Sequence, residues 1–275
     1  MSAAEDESVT SQIFVAPHSD DVALSCGGAV ALAAKSGTPT IVTLFAGRPS
    51  GPVGEFARLQ HERWGLADDE VFERRRREDR CAASALGPSV RVSWLDYLDA
   101  IYRDPRYSFE DALFGELAID DRALIAPIAD ALALTGAGEF VVPVAIGHHV
   151  DHQLAHLVGG ALAARGYDVW AYEDMPYALL DPSPASSVGV LETSNRRMIV
   201  VDDDGFERKC RAIECYASQL PVIFRDVGDF RVALDRHARA IGGSSRVEVQ
   251  WRLTSRGFQP YGNDIRPSAP VRENV

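Results

Sequence analysis

His18-Ser19-Asp20-Asp21 places an imidazole and two adjacent carboxylates directly after an apolar run that begins at Ile13. A second polar cluster, His148-His149-Val150-Asp151-His152, follows the apolar run Glu139–Val144. Imidazole and carboxylate are the donors of a catalytic zinc site, which uses three of them and leaves one position for water. His18 and Asp21 could supply two donors from one turn while Asp20 points elsewhere, and residues 149–152 could supply a third. Either fragment alone says little. A loop histidine is ordinarily a surface or core residue, and paired aspartates at a helix start ordinarily act as caps. Cys26, just behind the first cluster, reads as a small apolar residue packed between helix and sheet.

Both clusters need a scaffold that brings them together. Apolar strands are expected at Ile13–Ala16, Thr40–Phe45, Val90–Leu95, Glu139–Val144 and Tyr167–Tyr172, alternating with helices at Ser25–Lys35, Phe72–Leu86, Arg122–Leu134 and Asp151–Ala164. That alternation predicts an α/β fold with a Rossmann-like, doubly wound, mostly parallel sheet. Ligands in such sheets bind outside the carboxyl ends of the strands, so the two clusters should face each other. Segments Gly47–Asp69 and Asp96–Asp121 read as long loops, the first with a helical turn. From about residue 181 the rhythm changes to an α+β extension with a strand at Ile199–Val201, a helix at Phe206–Leu220 and a late strand at Val247–Leu253. The expected organisation is a disordered N-terminus (1–12), one catalytic domain (13–259) and a loose tail (260–275).

Composition narrows the partners. Forty acidic residues against 28 basic ones give a net charge of -12, which argues against nucleic acid and against an anionic membrane face. Lys35 and Lys209 are the only lysines, which reads as codon bias. The N-terminus is acidic and polar, unlike a signal peptide, and no apolar run approaches the roughly 20 residues of a membrane span. Cys26, Cys81, Cys210 and Cys215 show no paired spacing and read as buried thiols in a reducing compartment, so a soluble, cytoplasmic protein is expected. Dinucleotide binding is excluded: the first strand–helix turn lacks GxGxxG, and its two aspartates would repel a pyrophosphate.

PHSDDVALSCGG at 17–28 followed by GHHVDHQLAH at 147–156 resembles the PIG-L (LmbE-like) family of zinc-dependent de-N-acetylases. RRREDRCAASALG (75–87), YEDMPYA (172–178) and KCRAIECYASQ (209–219) extend the likeness to about Leu220. The resemblance implies a zinc enzyme, with other divalent transition metals possible, that removes an N-acetyl or N-acyl group from a small amino-sugar glycoconjugate. It implies His18, Asp21 and His152 as ligands and Asp20 as general base. His149 would steady the oxyanion or protonate the leaving amine, with Asp151 beside it as an orienting carboxylate. Arg75 and Asp99 stand where family members contact substrate. Glu173 and Asp174, at a strand end, and Tyr216 are further candidates to contact hydroxyls or frame the pocket, although turn chemistry explains Asp174 nearly as well. Trp64, Trp94, Tyr97, Tyr102 and Tyr107 are candidates to stack on a sugar or aglycone. Ser19 replaces the common Pro, Val22 replaces the common Glu, and a tyrosine that some members place before the second motif is missing at 146–148. These departures keep two alternatives open, an amidase for a thiol or other natural-product conjugate and a sugar-binding module without catalysis. His156, one helical turn after His152, could pair with it on a metal or simply pack.

Overall fold

The apolar runs form strands β1 (Gln12–Ala16), β2 (Thr40–Thr43), β3 (Arg91–Trp94), β4 (Glu139–Pro143) and β5 (Asp168–Tyr172), followed by β6 (Leu191–Val201) and β7 (Arg246–Leu253). In this computed structural model, which describes residues 11–103, 105–180 and 191–254, they make one sheet of order β3-β2-β1-β4-β5-β7-β6. Strands β1 to β5 run parallel, whereas β7 is antiparallel to both β5 and β6. Phe14 and Val15 are both buried, on opposite faces of β1, as a continuous apolar strand in a two-sided sheet requires.

The helices are α1 (Asp21–Ala33), α2 (Glu55–Arg63), α3 (Val71–Leu86), α4 (Ala100–Arg103), α5 (Glu110–Leu113), α6 (Ile125–Ala133), α7 (Val150–Ala164), α8 (Tyr177–Leu180), α9 (Asp203–Glu214), α10 (Leu220–Ile223) and α11 (Phe230–Gly242). Helices α1, α3 and α9 pack together against one face of the sheet, and α6 and α7 cover the other. This is the doubly wound α/β architecture expected.

Several local expectations need correction. Helix α1 starts at Asp21 rather than Ser25, so the acidic pair opens the helix, where the positive end of its dipole meets a carboxylate. The loop expected at 47–69 contains the nine-residue α2. Strand β6 has eleven residues instead of three, because its outer face is open to solvent at Met198 and Val200 and lacks the continuous apolar signal. The helix expected to run to Leu220 stops at Glu214 and resumes as α10, and α11 was not anticipated. Gln12, in β1 and inside the segment expected to be disordered, already pairs with Glu139. Residues 1–10, the loop Asp181–Gly189 and the tail from 260 lie outside the described residues.

The cysteine reading also changes. Cys81 on α3 and Cys215 just after α9 form a disulfide, with Cα atoms 5.7 Å apart across 134 residues of sequence, while Cys26 and Cys210 are buried free thiols. A pairing over that span leaves no trace in local spacing, and it removes the support for a reducing compartment. Thiol titration of the unfolded, unreduced protein should find two thiols, and four after reduction. Reduction should cost about 2–4 kcal/mol and lower Tm by roughly 5–15 °C. Four thiols before reduction would refute the bond. Among the described residues, no helix is long and apolar enough to cross a membrane.

Candidate active site

Because β1 and β4 are neighbours in the sheet, the loops at their carboxyl ends meet. The first loop enters α1 through His18 and Asp20. The second passes through left-handed backbone at Ala145, Gly147 and His148 before α7 begins. Gly147 is required there, since a Cβ on it would lie 2.5 Å from the Tyr177 ring, which covers that position. His149 caps α7, its Nδ1 accepting from Asp151 N at 3.2 Å. His18, Asp20, Asp21, Arg75, Asp99, His149 and His152 together line one cavity of about 190 Å³.

Asp21 bridges the two imidazoles expected to bind metal: its Oδ2 lies 3.5 Å from His18 Nδ1 and its Oδ1 3.3 Å from His152 Nε2. The opposite nitrogen of each ring is held from behind by a fully buried carboxylate. Asp151 Oδ2 stands 3.1 Å from His18 Nε2 and also accepts from Ala100 N at 2.9 Å, while its Oδ1 is 2.7 Å from Arg103. Asp174 Oδ1 is 2.6 Å from His152 Nδ1, and its Oδ2 accepts from Ile146 N at 3.0 Å. Carboxylate-backed imidazoles, tautomer fixed and free nitrogen presented, are how metal-binding histidines are held. Among the described residues, two triplets have donors that all lie within 4.8 Å of one another, His18–His149–His152 and His18–Asp99–Asp151, and the expected set His18–Asp21–His152 is not one of them. Asp151 in the second triplet is also bound to Arg103, and His149 in the first spends Nδ1 on the α7 backbone but keeps Nε2 free.

The electrostatics agree. Asp20, Asp21, Asp99, Asp151 and Asp174 are all buried here, against the guanidinium groups of Arg75 and Arg103. Burial disfavours a charged His152, but Asp21 and Asp174 outweigh it and push the ring up to about 10. His18 is raised in the same way by Asp99 and Asp151, and the two imidazoles hold Asp21 well below the usual carboxylate range against its burial. The cluster is thus built to attract positive charge. Asp20 behaves differently. Burial, then Asp21, raises it to about 6, and although it occupies the N-cap position of α1 its side chain makes no capping hydrogen bond. The cap explanation therefore fails for Asp20. Burial and His18 keep His149 neutral; with Nδ1 accepting, its proton sits on Nε2.

The remaining candidates divide. Arg75 is turned into the cavity, 5.0 Å over Trp64 and 3.9 Å from Asp99. Asp151 does not orient His149 through its carboxylate, as expected; that group serves His18, and only its backbone N–H reaches His149. Glu173 points away, to His237 at 3.0 Å in a separate small cavity. Tyr216 is buried with its hydroxyl on Asp79 at 3.1 Å and lies outside the lining. His156 Nδ1 donates to Pro143 O, so it packs and does not join His152. Trp94 likewise spends its N–H on Asp79. Arg103 and Tyr177 escaped the sequence reading, and Asp174, expected to bind hydroxyls or serve a turn, instead backs His152. Its place at the carboxyl end of the strand beside β4 was the signal for Asp174, whereas Arg103 had none.

Comparisons with known proteins meet this geometry. The chain is 36% identical over 185 residues to a 2'-N-acetylparomamine deacetylase of Niallia circulans, across 60% of this chain and 66% of that protein, so it spans just under two thirds of that relative. Its fold matches the crystal structure of a zinc-inhibited teicoplanin deacetylase with a TM-score of 0.78 and 27% identity, over 89% of this chain and 98% of the other. The deacetylase of A40926 pseudoaglycone matches with a TM-score of 0.76 and 29% identity, over 90% and 98%. The sequence model of the GlcNAc-PI de-N-acetylases, PIG-L, matches residues 13–163, a stretch that holds β1 to β4 and both polar loops, and the chain belongs to that family.

Proposed function

We propose that this chain is a zinc-dependent amide hydrolase that removes an N-acetyl, or related N-acyl, group from the amino sugar of a glycoconjugate. The observation that carries the reading is the Asp21 carboxylate between two imidazoles, each backed by a buried aspartate, with uncommitted Asp20 beside it. His18, Asp21 and His152 would hold the ion, which when bound supplies Lewis acidity that lowers the pKa of water and polarises a carbonyl.

The protein's own groups do the rest. Asp20 takes the proton from the attacking water, then returns it to the sugar nitrogen as the carbon–nitrogen bond breaks. His149 donates from Nε2 to the carbonyl oxygen as that oxygen gains charge. Arg75 and Asp99, on the wall of the same cavity, bind sugar hydroxyls, with Trp64 beside Arg75 as a stacking face. A groove of about 950 Å³ adjoins the cavity at Ile101 and is lined by Phe56, Leu59, Tyr102 and Tyr107. It supports an N-acetylglucosamine-type sugar carrying an aglycone over the free sugar, in keeping with relatives named for paromamine and teicoplanin conjugates.

The test is acetate release from N-acetylglucosamine and from its aryl glycosides, before chelation, after it, and after zinc is returned. Zinc-restored hydrolysis, faster on the glycosides, is expected. A pure protein that carries no metal and hydrolyses no N-acyl sugar after zinc loading would sink the reading.

Asp174→Asn supplies a separate check. The asparagine keeps the shape but loses the charge that orients His152 and raises its basicity. Metal affinity should fall about 10- to 100-fold, measured by competition with a chromogenic chelator. Unchanged affinity would reduce Asp174 to a packing residue.

A further inference from the structure

We infer that Lys209 and Glu248 are positioning residues: a buried ion pair that holds open a break in α1 and so sets where Asp20 and Asp21 stand. Helix α1 is not continuous, because Cys26 has φ -130° and ψ 28°. In an unbroken helix the Ala29 N–H would donate to the Ser25 carbonyl. Here the Ser25 carbonyl accepts from Lys209 Nζ at 3.0 Å, and Ala29 N donates to Glu248 Oε2 at 2.7 Å. Gly28 N donates to Glu248 Oε1 at 3.0 Å, and Lys209 closes the ring on that same oxygen at 2.7 Å. A side-chain pair inserted into the hydrogen-bond ladder is one of the few identified causes of a sharp helix kink.

The signs are the right ones. The ammonium meets the negative, carbonyl end of the first half-helix, and the carboxylate meets the positive, N–H end of the second. The sequence also makes room: a Cβ on Gly27 would lie 3.0 Å from Lys209 Cγ, and one on Gly28 2.9 Å from Glu248 Oε1. Cys26-Gly27-Gly28 is therefore the break and its clearance. Among 28 basic residues only two are lysines, and at 209 a compact ammonium with rotatable donors serves both acceptors, where the planar fork of arginine would not.

Neither residue lines the active-site cavity; both border the small separate one with Glu173 and His237. Their influence must pass through the first half of α1. That half opens with Asp20 and Asp21 and ends at Ser25, whose Oγ accepts from Met175 N at 3.0 Å, one residue beyond Asp174. The pair thus anchors, from β7 and α9, the segment that presents the base and a ligand, and through Ser25 the segment that backs His152.

The inference rests on the proposed roles of Asp20 and Asp21, and its test reads the metal site directly. Full-length wild type, Lys209→Met and Glu248→Gln are loaded with cobalt(II), and the visible spectrum, metal affinity, kcat and KM on an N-acyl sugar, and Tm are measured. Both variants should show a shifted spectrum, about tenfold weaker metal binding and about tenfold lower kcat, with KM within about twofold of wild type. Leu132→Ala, a core truncation on the opposite face of the sheet, should lose Tm while keeping spectrum and affinity. A folded Lys209→Met or Glu248→Gln with wild-type spectrum, affinity and kcat overturns the inference, whatever its Tm. If neither folds, Glu248→Asp, which withdraws the charge by one methylene, is read by the same criteria. A wild type that binds no cobalt overturns the hydrolase reading itself, whereas a normal wild type with indifferent variants overturns only this one.

Discussion

Asp20→Asn is expected to bind zinc at the wild-type stoichiometry and to turn over roughly 10²- to 10⁴-fold more slowly, the usual worth of a positioned general base. The substitution is nearly isosteric, and none of the contacts that prepare His18, Asp21 and His152 runs through the Asp20 carboxylate. An amide cannot take up the water proton at neutral pH, so the loss should fall on kcat. Zinc content by atomic absorption and kcat measured on one preparation decide the matter. A metal-free Asp20→Asn protein would mean that the two aspartates have been assigned the wrong way round. A metal-loaded variant of normal activity would mean that the base lies elsewhere in the cavity.

Asp21→Ala should fail in the other way. Its two oxygens lie 3.5 and 3.3 Å from the two imidazoles, so truncation removes a donor and the charge that draws a cation between the rings. Metal affinity should drop by at least about 100-fold, the upper end of what losing an outer support costs. His152→Ala should behave alike, and activity in both should return in part at high zinc. Equilibrium dialysis followed by rate measurements over a zinc series tests the pair. Retained affinity in Asp21→Ala would transfer the site to the His18–His149–His152 triplet, and His149→Ala would then be the variant that loses metal.

What could be read from the chain follows a physical division. The donors at the tips of β1 and β4 announce themselves because each cluster is packed into a few consecutive residues after an apolar strand, so residue type and register coincide. The layer behind them is different. Arg103, Lys209 and Glu248 each act from a separate element, on a backbone group or a buried partner, and a lone charged residue in sequence looks the same whether it faces water or a buried partner. Glu173 illustrates the difficulty, since the adjacent Asp174 has the chemistry and one position along the strand end decides which side chain turns inward. Gly27 and Gly28 were visible, yet their purpose emerges only with the side chains of Lys209 and Glu248 against them. Strand β6 was mostly hidden because an edge strand wets one face, and the Cys81–Cys215 bond because its halves are far apart along the chain.

The position of β7 has a consequence for synthesis. It lies between β5 and β6, so among the described residues β6 pairs with no other strand, and β5 waits with one edge open until residues 246–253 arrive. A ribosome releases the strands that carry both polar loops long before it releases Glu248. Until then β5, paired with β4 on one side, leaves its other edge open, and the second half of α1 lacks its carboxylate. Exposed strand edges of that kind invite pairing with other chains. Translation pauses after about residue 201 would lengthen that exposure, and insoluble nascent protein should rise with them.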